Sequence, residues 1–506
     1  MNFVVTTEQM KKAEENSEKN GVSRQKLMEN AGEVCFRSIN EFVGGVKGKN
    51  FVVLCGRGNN GGDGLEITAR IIENGGNAVA LYVIDFPSGD TARKCYAKYE
   101  SRIPIALYTH KEEIAKSVLK NANIIVDCVF GTGFHGELET GTSELFAFIN
   151  NECRALRFSI DIPSGMNADT GEIAKNAFSP HVTYTLGAIK TGLLSHPCFD
   201  LCGSIVLLDI GIAPECFEQY SAVLTDASVL EKQPPRPKNS HKGTFGSLLN
   251  ISGSGFYTGA ALLSTKAALR SGAGLVTLAT PKRVINAIAS AIPEAVFLPL
   301  EQDADAFMDK SAAEALTKPL AEATVCTLGC GIGNNENSRY IVEFVLKNRD
   351  CPLILDADGI NCISSNINVL KDNSHPLVLT PHPREFSRLA GISVEEVQRN
   401  RLALAKLFAE QTGTVLVLKG VNTVIAAPDG RVFVNTTGNS ALAKAGTGDV
   451  LTGIIGGLLA QGADPFDCAV LGVFLHGRCA DELVKKASPA GILAGDVIEL
   501  LPYVLR

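Results

Sequence analysis

Short apolar, β-rich runs recur along this chain, each closing on a turn rich in glycine, aspartate or proline and each followed by a helical pattern. In the first half the runs are 51–55, 78–84, 124–130, 157–162 and 204–210; in the second they are 247–251, 275–279, 324–328, 353–356, 377–380 and 415–419. Such alternation predicts an α/β fold, since parallel strands need crossover connections and the crossover helices cover both sheet faces. Ligands of open α/β sheets bind at the carboxyl ends of strands, so the closing turns are the candidate sites. At 506 residues the chain is about twice the usual limit of one hydrophobic core. The alternation breaks after Ile212, and Gln233-Pro234-Pro235-Arg236-Pro237-Lys238 is too proline-rich for helix or strand. Two domains are expected, 1–218 and 224–506, both α/β and without an internal repeat.

Composition narrows the function. With 45% apolar and 20% charged residues the chain is an ordinary globular protein, and a net charge of −7 without a basic block points to no nucleic acid and no membrane surface as partner. Met1 to Ala13 holds only Phe3-Val4-Val5 as an apolar run, so neither a signal peptide nor a membrane anchor is expected, and no later segment is long enough to span a bilayer. The 14 cysteines are scattered through apolar segments, and the pairs Cys198/Cys202 and Cys326/Cys330 lack zinc-site spacing. Buried, reduced thiols in a cytoplasmic protein are expected.

Gly446-Thr447-Gly448-Asp449 precedes the apolar run 450–459. Glycines let amides converge on an anion, and a helix N-terminus adds partial positive charge. An aspartate there is repelled by a bound phosphate unless it takes a proton from the group that receives the phosphoryl. The plainer alternative is a capping Asp on a tight turn. In the first half, Gly56-Arg57-Gly58-Asn59-Asn60-Gly61-Gly62-Asp63-Gly64 follows a strand and opens a helix, matching the GxGxxG dinucleotide pattern, with Asp85 near the place of a ribose-binding acid. Asn59, Asn60 and Asp63 carry more side-chain oxygens than a pyrophosphate cradle needs, which suggests polar ligand contacts and a monovalent cation. The turns Asp127-Cys128-Val129-Phe130-Gly131-Thr132-Gly133 and Asp161-Ile162-Pro163-Ser164-Gly165 add carboxylates at the same sheet edge. Lys419, ending an apolar strand before glycine, is placed for phosphates. Asp356 and Asp358 are either turn formers or water-mediated contacts to magnesium. His476 reads as a packed or capping histidine.

The GNNGGDG loop, the FGTG turn, DIPSG, Thr185-Leu186-Gly187-Ala188-Ile189-Lys190 and Asp209-Ile210-Gly211 together resemble the NAD(P)H-hydrate epimerase domain over nearly all of residues 1–218. The resemblance implies a Rossmann-like doubly wound sheet and a potassium ion near Asn60, Asp127 and Ser164. It also implies substrate contacts from Asn59, Asn60, Gly61, Gly62, Asp63, Gly131, Thr132, Gly133, Phe134, His135, Gly136 and Glu137, with Asp161 as acid and base. Residues 243–506 resemble the ADP/ATP-dependent NAD(P)H-hydrate dehydratase of the ribokinase-like superfamily, through Gly253-Ser254-Gly255-Phe256-Tyr257-Thr258-Gly259, Gly329-Cys330-Gly331-Ile332-Gly333, His382-Pro383-Arg384-Glu385, Lys419-Gly420-Val421-Asn422-Thr423 and 439–448. That likeness implies an α/β sandwich in which Asp449 takes the proton from the substrate's C6 hydroxyl while the nucleotide's terminal phosphoryl moves onto it. Substrate contacts would come from Gly331, His382, Pro383, Arg384, Glu385, Phe386, Ser387 and Arg388. Nucleotide contacts would come from Lys419, Gly420, Val421, Asn422, Thr423, Asn439, Ser440, Ala441, Leu442, Ala443, Lys444, Ala445, Gly446, Thr447 and Gly448, with magnesium accompanying ADP or ATP. Arg384 stands where the family has glycine, and Asn439 to Lys444 departs from the family's GNPGMATG wording. The reading is a bifunctional repair enzyme for hydrated NADH and NADPH, expected as a homo-oligomer of unspecified size. Its rival is a ribokinase-like small-molecule kinase with a non-catalytic Rossmann-like binding domain.

Overall fold

The computed structural model describes residues 2–110, 112–371 and 374–505. It divides into two compact units, Met1–Val223 and Leu224–Arg506.

The first unit is built on a parallel sheet in the spatial order Ile105–Leu107, Asn77–Tyr82, Asn50–Cys55, Ile124–Cys128, Leu156–Ile160, Val182–Leu186, Ser204–Leu208. Counted along the chain this is 3-2-1-4-5-6-7, the Rossmann-like doubly wound arrangement. Strand order reverses between Asn50–Cys55 and Ile124–Cys128, and such a switch point opens a crevice beyond the strand ends. The sequence reading ran four strands too long: they stop at Tyr82, Cys128, Ile160 and Leu208, where the chain turns into the site. It also missed Ile105–Leu107, which is short and half exposed, and Val182–Leu186, buried along its whole length.

The helix Asn59–Glu73 starts at the switch point and lies almost wholly buried. Glycine lets it sit so close: a Cβ on Gly61 would lie 2.0 Å from the Gly56 carbonyl oxygen, and one on Gly64 2.9 Å from Cys55 Sγ. Val52, Leu54 and Ile125 of the sheet share a core cluster with Leu145, Phe146 and Ile149 of the helix Thr140–Glu152.

In the second unit the strands Val296–Leu300, Leu275–Pro281, Ser247–Ile251, Val325–Leu328, Leu353–Leu355, Leu377–Leu379 and Val415–Leu418 pair in parallel, and the sheet continues antiparallel through Thr423–Ala426 and Val432–Asn435. The antiparallel pair and the edge strand Val296–Leu300 escaped the sequence reading. The first follows its neighbour through a turn too tight for a crossover, and the second has an exposed, non-alternating face. The helix Thr447–Leu459 is buried nearly all round; Gly453 and Gly457 let it press on the helix Thr258–Arg270, where Cβ atoms would lie 2.2 Å from the Ser264 oxygen and 2.4 Å from the Ala268 oxygen. All 14 cysteines are buried and unbridged. No helix among the described residues is long and apolar enough to cross a membrane.

Because the obstacle at Gly61 is backbone, a methyl group there has no low-energy escape. Gly61→Ala is expected to cost about 2 kcal/mol and lower the first unit's melting temperature by roughly 4–8 °C. An unchanged calorimetric transition would show that the helix shifts freely at this point.

Candidate active site

A cavity of about 460 Å3 opens at the switch point of the first unit. Its floor is the predicted turns: Asn59, Asn60 and Asp63 from the helix start, Gly131 to Phe134 after the central strand, and Asp161. Asp161 has φ +70°, a left-handed conformation that a non-glycine residue holds only when its surroundings fix it. Here the fixing is evident: its amide donates to the Tyr184 carbonyl at 2.7 Å and its carboxylate forms an ion pair with Lys190. Lys190 is 1% exposed and also donates to the Leu186 carbonyl at 2.8 Å, so the buried ammonium is satisfied by its surroundings. A Cβ on Gly131 would lie 3.5 Å from Asp161 Oδ2; the glycine keeps space beside the carboxylate oxygen that does not face Lys190.

Two more carboxyls line this cavity. Burial, with the Asp161 charge nearby, pushes Asp63 well above the usual carboxylate range, and burial also raises Glu14. Lys190 and Glu14 were not singled out as site residues in the sequence. Lys190 appeared only inside a motif, and Glu14 arrives from the N-terminal helix Thr7–Lys19, far away in the chain.

Below the turns, Asn60 Nδ2 donates to the carbonyls of Phe130 (2.8 Å) and Ile160 (3.1 Å), while Asn60 Oδ1 is buried with no partner. Asp127 accepts from the Ser164 amide and hydroxyl (2.8 and 2.6 Å), from the Val129 amide (3.1 Å) and from the Ser159 hydroxyl (2.9 Å); burial nevertheless raises it to about 6. An orphaned amide oxygen beside carbonyls and a carboxylate suits a monovalent cation in its oxygen donors.

Several expected contacts lie elsewhere. Gly61 and Gly62 do not line the cavity: a Cβ on Gly62 would lie 2.6 Å from Met28 Cε, so both serve packing. His135, Gly136 and Glu137 are exposed outside its lining, with His135 Nδ1 3.2 Å from Asn167 Nδ2 and Glu137 accepting from the Lys175 amide at 3.4 Å. Asp85 is exposed and accepts from the Phe86 amide.

In the second unit Asp449 sits in the first turn of the helix Thr447–Leu459, after Gly446 at φ +90°. Burial and the Asp356 charge raise its carboxyl to about 6, opposed by a hydrogen bond from the Cys330 thiol and by Lys419. Asp356, 1% exposed, accepts from Lys419 Nζ at 2.8 Å and from the Thr452 hydroxyl at 2.7 Å, so both its oxygens have strong donors. Its companion Asp358 caps the Gly333 amide at 2.9 Å. Of this pair, Asp356 is thus ion-paired with Lys419 and Asp358 holds a turn amide. His476 has its pKa lowered to about 4 by burial and the nearby Lys419 charge, which outweigh a backbone hydrogen bond with Thr447, so it is a packed histidine beside the loop.

The expected substrate run 382–388 splits up. His382 and Glu385 form a capping box, His382 Nδ1 accepting from the Arg384 and Glu385 amides and Glu385 accepting from the His382 amide at 2.8 Å; both side chains feel the Lys419 charge. Phe386 is 1% exposed and packs edge-on against Phe408, Ser387 donates to the Ile392 carbonyl at 2.6 Å, and Arg388 donates to Asn361 Oδ1 at 2.7 Å. Among the expected nucleotide residues, Lys419 to Asn422 form the turn into Thr423–Ala426, leaving Val421 exposed. Asn439 is tied to Asp481 at 2.8 Å, and Lys444 donates to the Ala490 and Ile492 carbonyls at 2.8 and 2.7 Å. Asp481 carried no signal in the sequence.

Fold and sites define a two-domain α/β enzyme class: a Rossmann-like unit with an acid-lined cavity at its switch point, joined to a ribokinase-like unit with an acid in the first turn of a glycine-led helix. The family described as YjeF-related protein N-terminus matches residues 24–192, and the family described as NAD(P)H-hydrate dehydratase matches residues 248–503. The bifunctional NAD(P)H-hydrate repair enzyme Nnr of Moorella thermoacetica is 37% identical over 489 residues, covering 95% of this chain and 92% of the relative. The protein of that name from Coxiella burnetii is 34% identical, with all of both chains covered. The chain belongs to the family of bifunctional NAD(P)H-hydrate repair enzymes. A ribokinase-like superfamily protein from Enterococcus faecalis V583 superposes with a TM-score of 0.50 at 30% identity, over 56% of this chain and 95% of that one. The ADP/ATP-dependent NAD(P)H-hydrate dehydratase of Bacillus subtilis, co-crystallised with ATP and Mg2+, is 37% identical over 56% of this chain and 97% of that one, with a TM-score of 0.49.

Removing Lys419 would strand the buried Asp356 carboxylate. Lys419→Met should destabilise the second unit by about 3–5 kcal/mol, and adding Asp356→Asn should recover most of that loss in urea unfolding. Additive losses in the double variant would show that the pair does not interact.

Proposed function

We propose that the chain repairs hydrated NADH and NADPH in the cytoplasm, with residues 1–218 interconverting the two C6 epimers and residues 224–506 dehydrating one of them at the expense of ADP or ATP. The observation that carries this reading is the different charge environment of two acids. Asp161 is paired with the buried Lys190 at a cavity; Asp449 is raised by burial in the first turn of a phosphate-type loop.

In the first unit the substrate's hydroxyl-bearing carbon lies beside a ring nitrogen, a hemiaminal that inverts when the ring opens or the hydroxyl leaves and returns. Asp161 Oδ2, on the open side of the Lys190 pair, exchanges the proton that either route requires. Asn60, Asp127 and Ser164 would hold the potassium ion, whose positive charge would favour the polar end of the substrate; the unpartnered Asn60 Oδ1 supports that assignment. Asn59, Asp63 and Gly131 to Phe134 would contact the substrate.

In the second unit Asp449 takes the C6 hydroxyl proton as that oxygen attacks the terminal phosphorus of the nucleotide. The amides of 446–448 stabilise the charge that develops. Phosphate is a far better leaving group than hydroxide; the ring nitrogen's lone pair expels it to leave a C6 iminium, and loss of a proton from C5 to water then forms the C5=C6 double bond of the dihydronicotinamide. Among the described residues no group of three His, Cys, Asp or Glu is placed to bind a metal ion, so magnesium would be carried chiefly by the nucleotide's phosphates. Relatives that join both activities, and a similar dehydratase co-crystallised with ATP and Mg2+, support this reading. An assembly of several copies is also proposed.

Asp449→Asn should abolish dehydration, by about a hundredfold or more, while epimerisation persists; near-normal NADH recovery in this variant would sink the assignment. Asp161→Asn should do the reverse, dehydrating one epimer and leaving the other to background inversion. For the wild type, a base at about 6 must be ionised to act, so dehydration should be full above that pH and decline as pH falls through it. A rate flat from about pH 5 to 8 would mean that another group takes the proton.

A further inference from the structure

The first cavity has no place among its acids for one part of the proposed substrate. A hydrated dinucleotide carries its hydroxyl on an uncharged ring and, one ribose further along, an anionic diphosphate. Glu14, Asp63 and Asp161 bring three carboxyls to the lining. They suit the ring, whose hydroxyl needs a proton carrier, and they repel the diphosphate. The anionic part therefore has to meet a cation. The cationic residues of the lining are Arg24, Arg57 and Lys190. Lys190 is buried and paired with Asp161, and Arg24 Nε lies 3.4 Å from Glu18 Oε2. Arg57 is exposed, and among the described residues its side chain has neither an ion pair nor a hydrogen bond.

The backbone around Arg57 fits the same role. The residue sits in the turn between the strand Asn50–Cys55 and the helix Asn59–Glu73, which Gly58 opens with no side-chain cap. That helix start presents partial positive charge at the turn. The turn itself is fixed: the Arg57 carbonyl accepts the Ser88 amide at 3.1 Å, and the Gly56 amide donates to the Cys128 carbonyl at 3.1 Å. A Cβ on Gly56 would lie 1.8 Å from the Val129 carbonyl oxygen, so the turn packs directly on the neighbouring chain. The guanidinium alone remains free to reach a ligand.

We propose that Arg57 is a specificity-determining residue of the first cavity: its guanidinium takes the diphosphate of the hydrated dinucleotide while the ring lies against Asp161. The proposal deepens the epimerase reading of residues 1–218 and rests on it. A guanidinium matches phosphate oxygens in charge and in its planar fork of donors. Hydrated NADPH offers one further anion, the phosphate on its adenosine ribose. The diphosphate is the group assigned here, because it lies one ribose from the reacting ring, and Asn59 and Asn60, which line the same cavity, follow Arg57 closely in the chain.

The test is interconversion of the epimers by the full chain without nucleotide, for hydrated NADH and hydrated NADPH, in the wild type, Arg57→Gln and Arg57→Lys. Removing the charge should raise KM about fivefold or more for both hydrates while turnover at saturation stays within about twofold, since the proton carrier is untouched. Arg57→Lys keeps the charge without the fork and should recover part of the loss. Raising salt from about 0.05 to 0.5 M should bring the wild type toward Arg57→Gln, because an exposed charge is screened. An unchanged KM, a rise confined to hydrated NADPH, a loss carried by turnover alone, a Lys variant no better than Gln, or a wild-type advantage indifferent to salt would each overturn the proposal. Wild-type protein that does not interconvert the epimers would instead overturn the epimerase reading itself.

Discussion

A lysine set against a strand-end aspartate, with one member of each pair fully buried, organises each catalytic edge of this protein. Lys190 and Asp161 in the first unit, and Lys419 and Asp356 in the second, bring opposite charges into environments that would neutralise either alone. The units use the pair differently. In the first, the paired aspartate is itself the proposed proton carrier, so its partner holds it ready beside the cavity. In the second, the paired aspartate is a neighbour whose charge, together with burial, lifts Asp449 to about 6. That value lies close to working pH, where a base can both accept and release a proton.

Glycine provides the other half of the construction. Carboxylates reach ligands at these edges because helices and turns come closer than a side chain would allow, at Gly61 against the preceding turn and at Gly453 and Gly457 against the neighbouring helix. Part of the glycine signature taken in sequence as ligand-binding is thus spent on packing. Asn59, Asn60 and Asp63 keep polar side chains at the cavity, whereas Gly61 and Gly62 make room for the helix that carries them.

The class of fold, most strands and the places of Asp161 and Asp449 at their turns were legible in the sequence because they depend on local patterns: apolar runs, glycine turns and the residue that ends each strand. Less legible was what depends on distant chain segments meeting. Glu14 enters the first cavity from the N-terminal helix, and Asp481 reaches Asn439 from a helix 42 positions on. Contiguous motifs also mislead about individual members. In 382–388 only His382 and Glu385 belong with the Lys419 charge, while Phe386 turns into the core, since side chains on a helix take different faces. The antiparallel strands after Lys419 were hidden because a tight hairpin leaves no helical spacer to announce it.

Joining the two activities in one chain fits the chemistry of the damage. Spontaneous hydration at C6 gives both epimers, and a stereospecific dehydratase alone would strand one of them. The account stands most directly on a stoichiometric assay of the full chain with an epimer mixture of hydrated NADH and excess nucleotide. It predicts that all of the hydrate returns to NADH, with one inorganic phosphate released and one nucleotide consumed for each NADH formed. A stable phosphorylated product that accumulates without NADH would contradict it, and would make the second unit a kinase of the ribokinase-like kind.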